Sequence, residues 1–162
     1  MEALVFTTPL GDMIAAGEGE QLRRLDFLDS RYAPALSASA GSAPVLLLAR
    51  DWTLTYLAGE RPPVPDCLAP AGSAFARNVW ELLREIPYGR SVTYGDLARE
   101  LAARTGRRGC AQAVGQAVGR NPISLMIPCH RVLGAGNTLT GYGGGLWRKR
   151  ALLELEGIVY KP

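Results

Sequence analysis

The first half of the chain alternates between short apolar runs and turn-forming residues, a pattern typical of strands followed by one helix. Three apolar segments predict strands, at residues 4–7, 13–16 and 22–28, with a turn at residues 9–12. A longer segment predicts a helix at residues 44–58, with one face formed by Leu47, Leu48, Trp52 and Tyr56. The proline-rich residues 59–65 cannot continue that helix, because proline has no amide hydrogen to donate, and they predict a linker.

The second half repeats apolar residues every three or four positions, which predicts amphipathic helices. Ser73 is placed to cap a helix that runs to Ile86, with a buried stripe predicted to consist of Phe75, Val79, Leu82, Leu83 and Ile86. Thr93 is placed to cap a second helix, in which Asp96 is positioned for a capping box. Two leucines of this helix are expected to point inward, Leu97 and Leu101.

A third predicted helix, at about residues 110–119, is built mainly from small residues. Together with the preceding helix and the turn at residues 105–109, it has the pattern of a helix-turn-helix. Small side chains would let its backbone lie close to a DNA groove, but they would serve equally well in a helix packed against another helix. The spacing alone leaves both interpretations open.

Charge is divided unevenly along the chain, which carries a formal net charge of +3 over 162 residues. Residues 1–73 have a net charge of −4, whereas residues 74–162 have a net charge of +7. The imbalance indicates that the second half meets a polyanion. A solvated surface with chance asymmetry would also fit these numbers.

The composition is that of a globular protein and argues against several other classes. Hydrophobic residues make up 48% of the chain, yet no apolar run approaches the roughly 20 residues that span a bilayer. The N-terminus lacks the basic start and apolar core of a signal peptide. Three unevenly spaced cysteines do not form a disulfide framework, so we expect a cytoplasmic protein.

The chemistry of the chain is concentrated in residues 128–132, Pro-Cys-His-Arg-Val. His130 is the only histidine, and it directly follows Cys129, one of three cysteines. A thiol is nucleophilic as the thiolate, so a reactive cysteine requires a base or a positive charge nearby. An adjacent cysteine and histidine can also be structural, but the flanking proline and Arg-Val favour a nucleophile.

The order of motifs in the second half resembles the O6-alkylguanine-DNA alkyltransferases, also called methylated-DNA–protein-cysteine methyltransferases. The resemblance rests on the active-site signature at residues 128–132 and on further segments around it. These segments are residues 75–80, 86–89, 92–98, 113–115, 121–122, 141–146 and 152–157. The first half matches more loosely, through residues 56–61.

The resemblance implies catalytic roles for four residues. Cys129 would accept the alkyl group from O6 of an extruded guanine by in-line displacement. His130 would draw the thiol proton through a water molecule, with Glu156 holding the histidine in the required tautomer. Tyr94 would lie at the guanine edge and help to neutralise the leaving base.

The resemblance also implies contacts to the substrate and to DNA. Asn121 would tie the DNA-binding segment to the cysteine loop, and the base pocket would be walled by Tyr142, Gly143 and Gly144. DNA would be contacted by Gln112, Ala113, Gly115, Arg120 and Arg107. Each residue taken singly would fit a structural role, whereas their order favours the functional one.

The chain departs from the family at the position of the intercalating arginine, which corresponds to Gln112. The segment between Tyr94 and Gln112 is also longer than in relatives. Some relatives carry zinc in the N-terminal domain, but the first half here has no histidine and only Cys67, so we expect no metal. Relatives that only bind lesions have tryptophan in place of the reactive cysteine, and Cys129 therefore groups this chain with the active members.

We therefore expect an α+β fold in two domains. Residues 1–68 would form an N-terminal α/β domain with an antiparallel sheet, a helix and a linker, and residues 69–162 a mostly helical domain with a winged helix-turn-helix. The expected function is single-turnover, irreversible repair of O6-alkylguanine in double-stranded and single-stranded DNA by a monomer without a cofactor. Activity on O4-alkylthymine is left open. The alternatives are a non-catalytic lesion-binding or regulatory helix-turn-helix protein and a cysteine hydrolase.

Overall fold

The computed structural model describes residues 1–31, 39–106 and 110–162 of the chain. Contacts divide the described residues into two compact units. The first unit comprises residues 1–71 and 122–126, and the second comprises residues 72–121 and 127–162. The domain boundary after residue 68 stays a prediction, and residues 122–126 pack with the first unit although the expected division assigns them to the second domain.

The first unit is built on a four-stranded sheet. Its strands are β1 (Glu2–Thr8), β2 (Gly11–Glu18), β3 (Gln21–Phe27) and β4 (Ser39–Ala40), in the order β3-β2-β1-β4. Strands β1 and β3 run antiparallel to β2, and β4 runs parallel to β1. The three strands expected from the apolar pattern are therefore confirmed.

Helix α1 (Pro44–Leu57) confirms the predicted helix but only part of its predicted face. Trp52 and Tyr56 are buried, whereas Leu48 is exposed and Leu47 is half-buried. The buried side consists of Val45, Leu46, Ala49, Trp52, Thr53 and Tyr56. Successive helical residues are rotated by about 100°, so Leu47 lies opposite the centre of this stripe and Leu48 lies beyond its margin.

Residues 122–126 extend the sheet at the outer edge of β3. The Leu25 amide donates to the carbonyl of Pro122 at 3.0 Å, and the Ser124 amide donates to the carbonyl of Leu25 at 2.8 Å. The Ser124 hydroxyl also donates to the buried carboxylate of Asp26 at 3.4 Å. This pairing explains why a stretch far along the chain packs with the first unit.

The described residues of the second unit form four helices and one pair of short strands. The helices are α2 (Ala74–Arg84), α3 (Tyr94–Thr105), α4 (Ala111–Gly119) and α5 (Leu146–Glu156). The strands β5 (Val92–Thr93) and β6 (Val132–Leu133) pair in parallel. Single 3₁₀ turns occupy Cys129–Arg131 and Ala135–Asn137.

Helix α2 begins as predicted and ends earlier than predicted. The Ser73 hydroxyl accepts a hydrogen bond from the Ala76 amide at 3.1 Å. The helix ends at Arg84 and not at Ile86. The residue before a proline is disfavoured in the helical region, and Ile86 precedes Pro87.

The buried stripe of α2 differs from the prediction at its first residue. Phe75 is exposed, whereas Val79, Leu82, Leu83 and Ile86 are buried as predicted. Trp80, which the prediction omitted, is also buried, and its indole N–H donates to the carbonyl of Ala117 in α4 at 2.9 Å. Helix α2 thereby fixes the C-terminal part of α4.

Helices α3 and α4 match the two predicted helices of the helix-turn-helix, whereas residues 107–109 of the predicted turn lie outside the described residues. The Thr93 hydroxyl accepts from the Asp96 amide at 3.1 Å, and the Asp96 carboxylate accepts from the Thr93 amide at 2.9 Å, which confirms the capping box. Leu97 and Leu101 are buried, as predicted. The α+β fold class is confirmed. None of the helices that the structure describes has the length and apolar character of a membrane span.

Helix α4 has one buried face and one open face. One face is buried and consists of Val114, Ala117 and Val118. Gln112 and Gln116 are exposed on the other side, and so is Arg120 at the C-cap. The helix therefore packs closely within the second unit and still presents an open polar face.

Candidate active site

The chain enters the reactive-cysteine motif through a tight turn. Pro128 has φ −81° and ψ 66°, and the Cys129 amide donates to the carbonyl of Ile127 at 2.8 Å. These are the dihedral angles and the bond of an inverse γ-turn, and the proline ring restricts φ to such values. Asn121, two residues after the end of α4, donates its side-chain amide to the same Ile127 carbonyl at 2.7 Å. The two bonds define the approach to Cys129, which is buried.

His130 and Glu156 form a fully buried pair. The Nε2 atom of His130 lies 2.6 Å from Oε2 of Glu156, and both side chains are inaccessible to solvent. Glu156 ends helix α5, and the amide of Gly89, just after Pro87-Tyr88, donates to its Oε1 at 2.9 Å. The pair therefore joins the cysteine turn to α5 and to the loop after α2.

Arg131 holds the other side of the same carboxylate. Its Nε donates to Oε1 of Glu156 at 2.8 Å, and its Nη2 donates to Oε2 at 3.1 Å. Its Nη1 donates to the carbonyl of Ile86 at 2.7 Å, and its guanidinium lies 5.6 Å from the ring centre of Tyr88. We did not predict this role, although the arginine stands in the sequence signature itself.

The protonation states follow from these contacts. Burial alone would raise the pKa of Glu156, but His130, Arg131 and the Gly89 amide together lower it to about 2. Burial lowers the pKa of His130 below its ordinary value, although Glu156 opposes the shift. An ionised carboxylate can only accept, so Nε2 of a neutral His130 carries the hydrogen. The remaining nitrogen, Nδ1, is then the basic one.

Lys149 places a positive charge in the same interior, and we did not predict it. Its side chain is buried, and Nζ donates to the carbonyl of Val132 at 2.6 Å and to that of Gly141 at 3.4 Å. Burial lowers the pKa of Lys149 to about 8, while interaction with Cys129 raises it. At pH 7 Lys149 is therefore mainly an ammonium ion, and its positive charge favours the thiolate form of Cys129.

Tyr94 links this interior to helix α4. A Cβ placed on Gly115 of α4 would lie 3.7 Å from Cδ1 of Tyr94, so the ring packs against a helix position that has no side chain. The Thr140 hydroxyl donates to the Tyr94 hydroxyl at 3.4 Å. Burial raises the pKa of Tyr94. The phenol therefore remains protonated and able to donate at neutral pH.

The remaining candidate residues occupy two places in the second unit. Tyr142 and Gly143 are half-buried and Gly144 is buried, in the loop before α5. On α4, Gln112 is exposed, and Ala113 and Gly115 are half-buried. Arg120 is exposed at the end of α4, and Arg107 lies outside the described residues.

The arrangement combines the parts of an activated thiol nucleophile. Cys129 is followed directly by a neutral imidazole, which is oriented by an ionised carboxylate and accompanied by a buried ammonium ion. Nucleophile, base and orienting group is the order that covalent catalysis requires. Among the described residues, no group of three or more histidine, cysteine, aspartate or glutamate side chains could hold a metal ion.

Comparison with known proteins identifies the family. A family model described as 6-O-methylguanine DNA methyltransferase, DNA binding domain, matches residues 74–158. A methylated-DNA–protein-cysteine methyltransferase from Haemophilus influenzae is 43% identical, covering 99% of this chain and 90% of the relative. The chain belongs to this methyltransferase family. A methyltransferase of the same description from Methanosarcina acetivorans is 38% identical, covering 94% of this chain and 96% of the relative.

Solved structures of methyltransferases share the fold. The crystal structure of Mycobacterium tuberculosis OGT in complex with DNA matches with a TM-score of 0.88 at 40% identity, covering 97% of this chain and 93% of that chain. The O6-methylguanine-DNA methyltransferase from Pyrococcus kodakaraensis matches with a TM-score of 0.72 at 23% identity, which supports the fold alone. The resemblance noted from the sequence motifs is thus confirmed.

The Glu156 network predicts a specific pH dependence of stability. The folded-state pKa of about 2 lies below the ordinary 4.5, so Glu156 contributes stability that is complete above about pH 4.5 and is lost as the pH falls toward 2. Glu156→Gln should lower the free energy of unfolding by about 3 kcal/mol at pH 7, because Arg131 loses its counter-ion. Urea titrations of both proteins from pH 3 to pH 7 should show that difference shrinking as the pH falls.

The matched control is Glu154→Gln, which changes an exposed glutamate of the same helix. It should stay within about 0.5 kcal/mol of the parent at every pH. A Glu156→Gln deficit of the same size at pH 3 and pH 7 would contradict the low pKa.

Proposed function

We propose that this chain repairs DNA by direct reversal, moving the alkyl group of O6-alkylguanine to the sulfur of Cys129. The observation that carries the proposal is the buried contact of 2.6 Å between His130 and Glu156, directly beside Cys129 in a member of this methyltransferase family. A protein that only binds lesions has no use for an oriented base next to a thiol. The activated cysteine therefore favours the transferase over the lesion-binding alternative.

DNA binding is supported by charge and by helix α4. Residues 74–162 carry a net charge of +7, and α4 exposes a polar face at Gln112, Gln116 and Arg120. Neutralisation of phosphates supplies most of a sequence-independent affinity for DNA. A guanine within a duplex hides its O6, so the base must be extruded before it reaches a buried thiol. Arg120 and Arg107 are the proposed phosphate contacts, and the small residues Ala113 and Gly115 let α4 approach the groove.

Proton removal from Cys129 is the first chemical step. His130 is neutral and can take the thiol proton at Nδ1 through a water molecule, while Glu156 stabilises the imidazolium that forms. Lys149 favours the thiolate by its charge. Asn121 holds the Ile127 carbonyl and so fixes the turn that presents the sulfur.

Alkyl transfer is then an in-line displacement. The thiolate sulfur forms a bond to the alkyl carbon, and the bond from that carbon to O6 breaks with its electron pair left on the guanine. Tyr94 donates a proton to the leaving base and is reprotonated from the imidazolium, so the net result is the transfer of one proton from the thiol to the guanine. Tyr142, Gly143 and Gly144 are proposed to wall the pocket in which the base lies.

The thioether product implies that each protein molecule acts only once. A thioether is too stable to hydrolyse, and the other two cysteines, Cys67 and Cys110, are half-buried and exposed at other places in the chain. Regeneration would need a second thiol at the site. The need for a reduced thiol fits the cytoplasmic location that we infer.

The first test is the stoichiometry of transfer. With excess duplex DNA containing O6-methylguanine, intact mass should rise by one methyl group per chain, and peptide mapping should place it on Cys129. Cys129→Ser should abolish the mass shift and still bind the DNA, because the binding face on α4 is unchanged. More than one lesion repaired per chain would rule out single-turnover transfer.

Cys110 supplies an internal control for this mapping. It is exposed at the start of α4, and the amides of Ala113 and Gln112 lower the pKa of its thiol. A thiol that reacted only by exposure and acidity would therefore carry the label on Cys110. Methyl groups on Cys110 in place of Cys129 would contradict the proposed site.

A second test concerns Gln112, which occupies the position of the family's intercalating arginine. Glutamine is shorter and uncharged, so it should fill the gap left by an extruded base less well than arginine. Gln112→Arg should speed repair of a duplex lesion roughly fivefold, which corresponds to about 1 kcal/mol of barrier. Single-turnover rates on duplex DNA and on free O6-benzylguanine would measure the effect.

Free O6-benzylguanine is the control substrate, because no base has to be extruded. Its rate should stay within about twofold of the parent in both Gln112→Arg and Gln112→Ala. Duplex rates that also remain within about twofold in both variants would show that Gln112 is not the intercalating residue.

A further inference from the structure

The sequence of the loop before α5 places few conformational restraints on its backbone. Residues 141–145 read Gly-Tyr-Gly-Gly-Gly, and glycine has the greatest conformational freedom of any residue. Gly145 has φ +94°, a conformation that other residues rarely adopt. A loop of this composition can serve as a pocket wall only if contacts outside it hold its backbone in place.

Two basic residues of α5 supply such contacts. Arg148 donates from Nη1 to the carbonyl of Gly144 at 3.0 Å, and Lys149 donates to the carbonyl of Gly141 at 3.4 Å. Within the loop, the Gly145 amide donates to the carbonyl of Tyr142 at 2.9 Å. Of the two side-chain hydrogen bonds from α5 to the loop backbone, the one from Arg148 is therefore the shorter.

Trp147 lies over both Arg148 and the loop. The Arg148 guanidinium is 4.5 Å from the Trp147 ring centre, which is the geometry of a cation–π contact. A Cβ placed on Gly145 would lie only 3.2 Å from Cδ1 of Trp147, so the indole covers the loop backbone closely. Arg148 is buried although Trp147 itself is 55% exposed.

Because the indole of Trp147 is exposed, burial of the ring itself does not explain why a tryptophan lies at this position. It covers the guanidinium of Arg148, and a hydrogen bond that is shielded from water is stronger than an exposed one. The covered bond is the one from Arg148 to Gly144, which the proposed function places in the base pocket. The ring also occupies the space next to Gly145 in which a side chain on that residue would lie.

We propose that Trp147 is a positioning residue that, through Arg148, holds the glycine loop in its base-binding conformation. This inference rests on the proposed function in assigning the loop to the base pocket. The expected consequence is an effect on how tightly the substrate base is held, with little effect on the chemistry at Cys129. Loss of a uniform binding interaction changes saturation and leaves the limiting rate unchanged.

The test measures single-turnover benzyl transfer to Cys129 at increasing concentrations of free O6-benzylguanine, which needs no DNA. Trp147→Ala should raise the half-saturating concentration about fivefold, within the range that one cation–π contact can supply. Its limiting rate should stay within about twofold of the parent. Trp147→Phe keeps an aromatic face for Arg148 and should restore saturation to within about twofold of the parent.

Arg150→Ala is the matched control, since Arg150 is an exposed residue one turn further along α5. It should saturate like the parent. Parent-like saturation in Trp147→Ala would overturn the proposal, and so would an equal rise in Arg150→Ala or in Trp147→Phe.

Amide hydrogen exchange of a peptide covering residues 142–146 separates this proposal from the proposed function. Exchange should be faster in Trp147→Ala than in the parent and unchanged in Trp147→Phe and Arg150→Ala. If the parent did not transfer benzyl to Cys129, the proposed function would fail, and exchange would still report whether Trp147 holds the loop. Equal exchange in all four proteins would show that it does not.

Discussion

The carboxylate of Glu156 is the group on which the site depends. It is buried at the end of α5 and accepts hydrogen bonds from His130, Arg131 and the amide of Gly89. An unpaired buried charge would be very costly, so these donors and the carboxylate must be present together. His130 and Arg131 belong to the cysteine motif, whereas Gly89 belongs to the loop after α2. This one carboxylate therefore holds together the parts of the second unit that surround the reactive thiol. Because it remains ionised, it also determines which nitrogen of His130 is basic.

Backbone geometry contributes the second constraint, at the entry to the cysteine motif. Leu125 has φ +72° although it is not glycine, and the Met126 amide donates to the carbonyl of Ser124 across it. Residues in such conformations cost about 1–3 kcal/mol and persist where the surrounding structure determines them. Here the surrounding structure is the pairing with β3 on one side and the Pro128 turn on the other. Tight turns at Leu125 and at Pro128 therefore precede Cys129 along the chain.

Much of the fold and part of the site could be predicted from local sequence signals. The caps at Ser73 and Thr93 depend on neighbouring residues alone, and the family motifs brought Cys129, His130 and Glu156 into one hypothesis. Lys149 was missed because a lysine in a helix is normally exposed, and nothing nearby in sequence shows that Val132 and Gly141 receive its ammonium group. The pairing of residues 122–126 with β3 is equally non-local, since it joins positions about a hundred residues apart.

Activation of Cys129 depends on a neutral His130 that carries its hydrogen on Nε2, facing ionised Glu156, and offers Nδ1 as the base. Because His130 is the only histidine in the chain, ¹⁵N-histidine labelling of untagged protein gives a spectrum with one imidazole. We expect the neutral tautomer with hydrogen on Nε2 at pH 7. In Glu156→Gln the imidazole of His130 should no longer be held in this one tautomer. A hydrogen on Nδ1 of the neutral ring, or a charged imidazolium at pH 7 in the parent, would contradict the account.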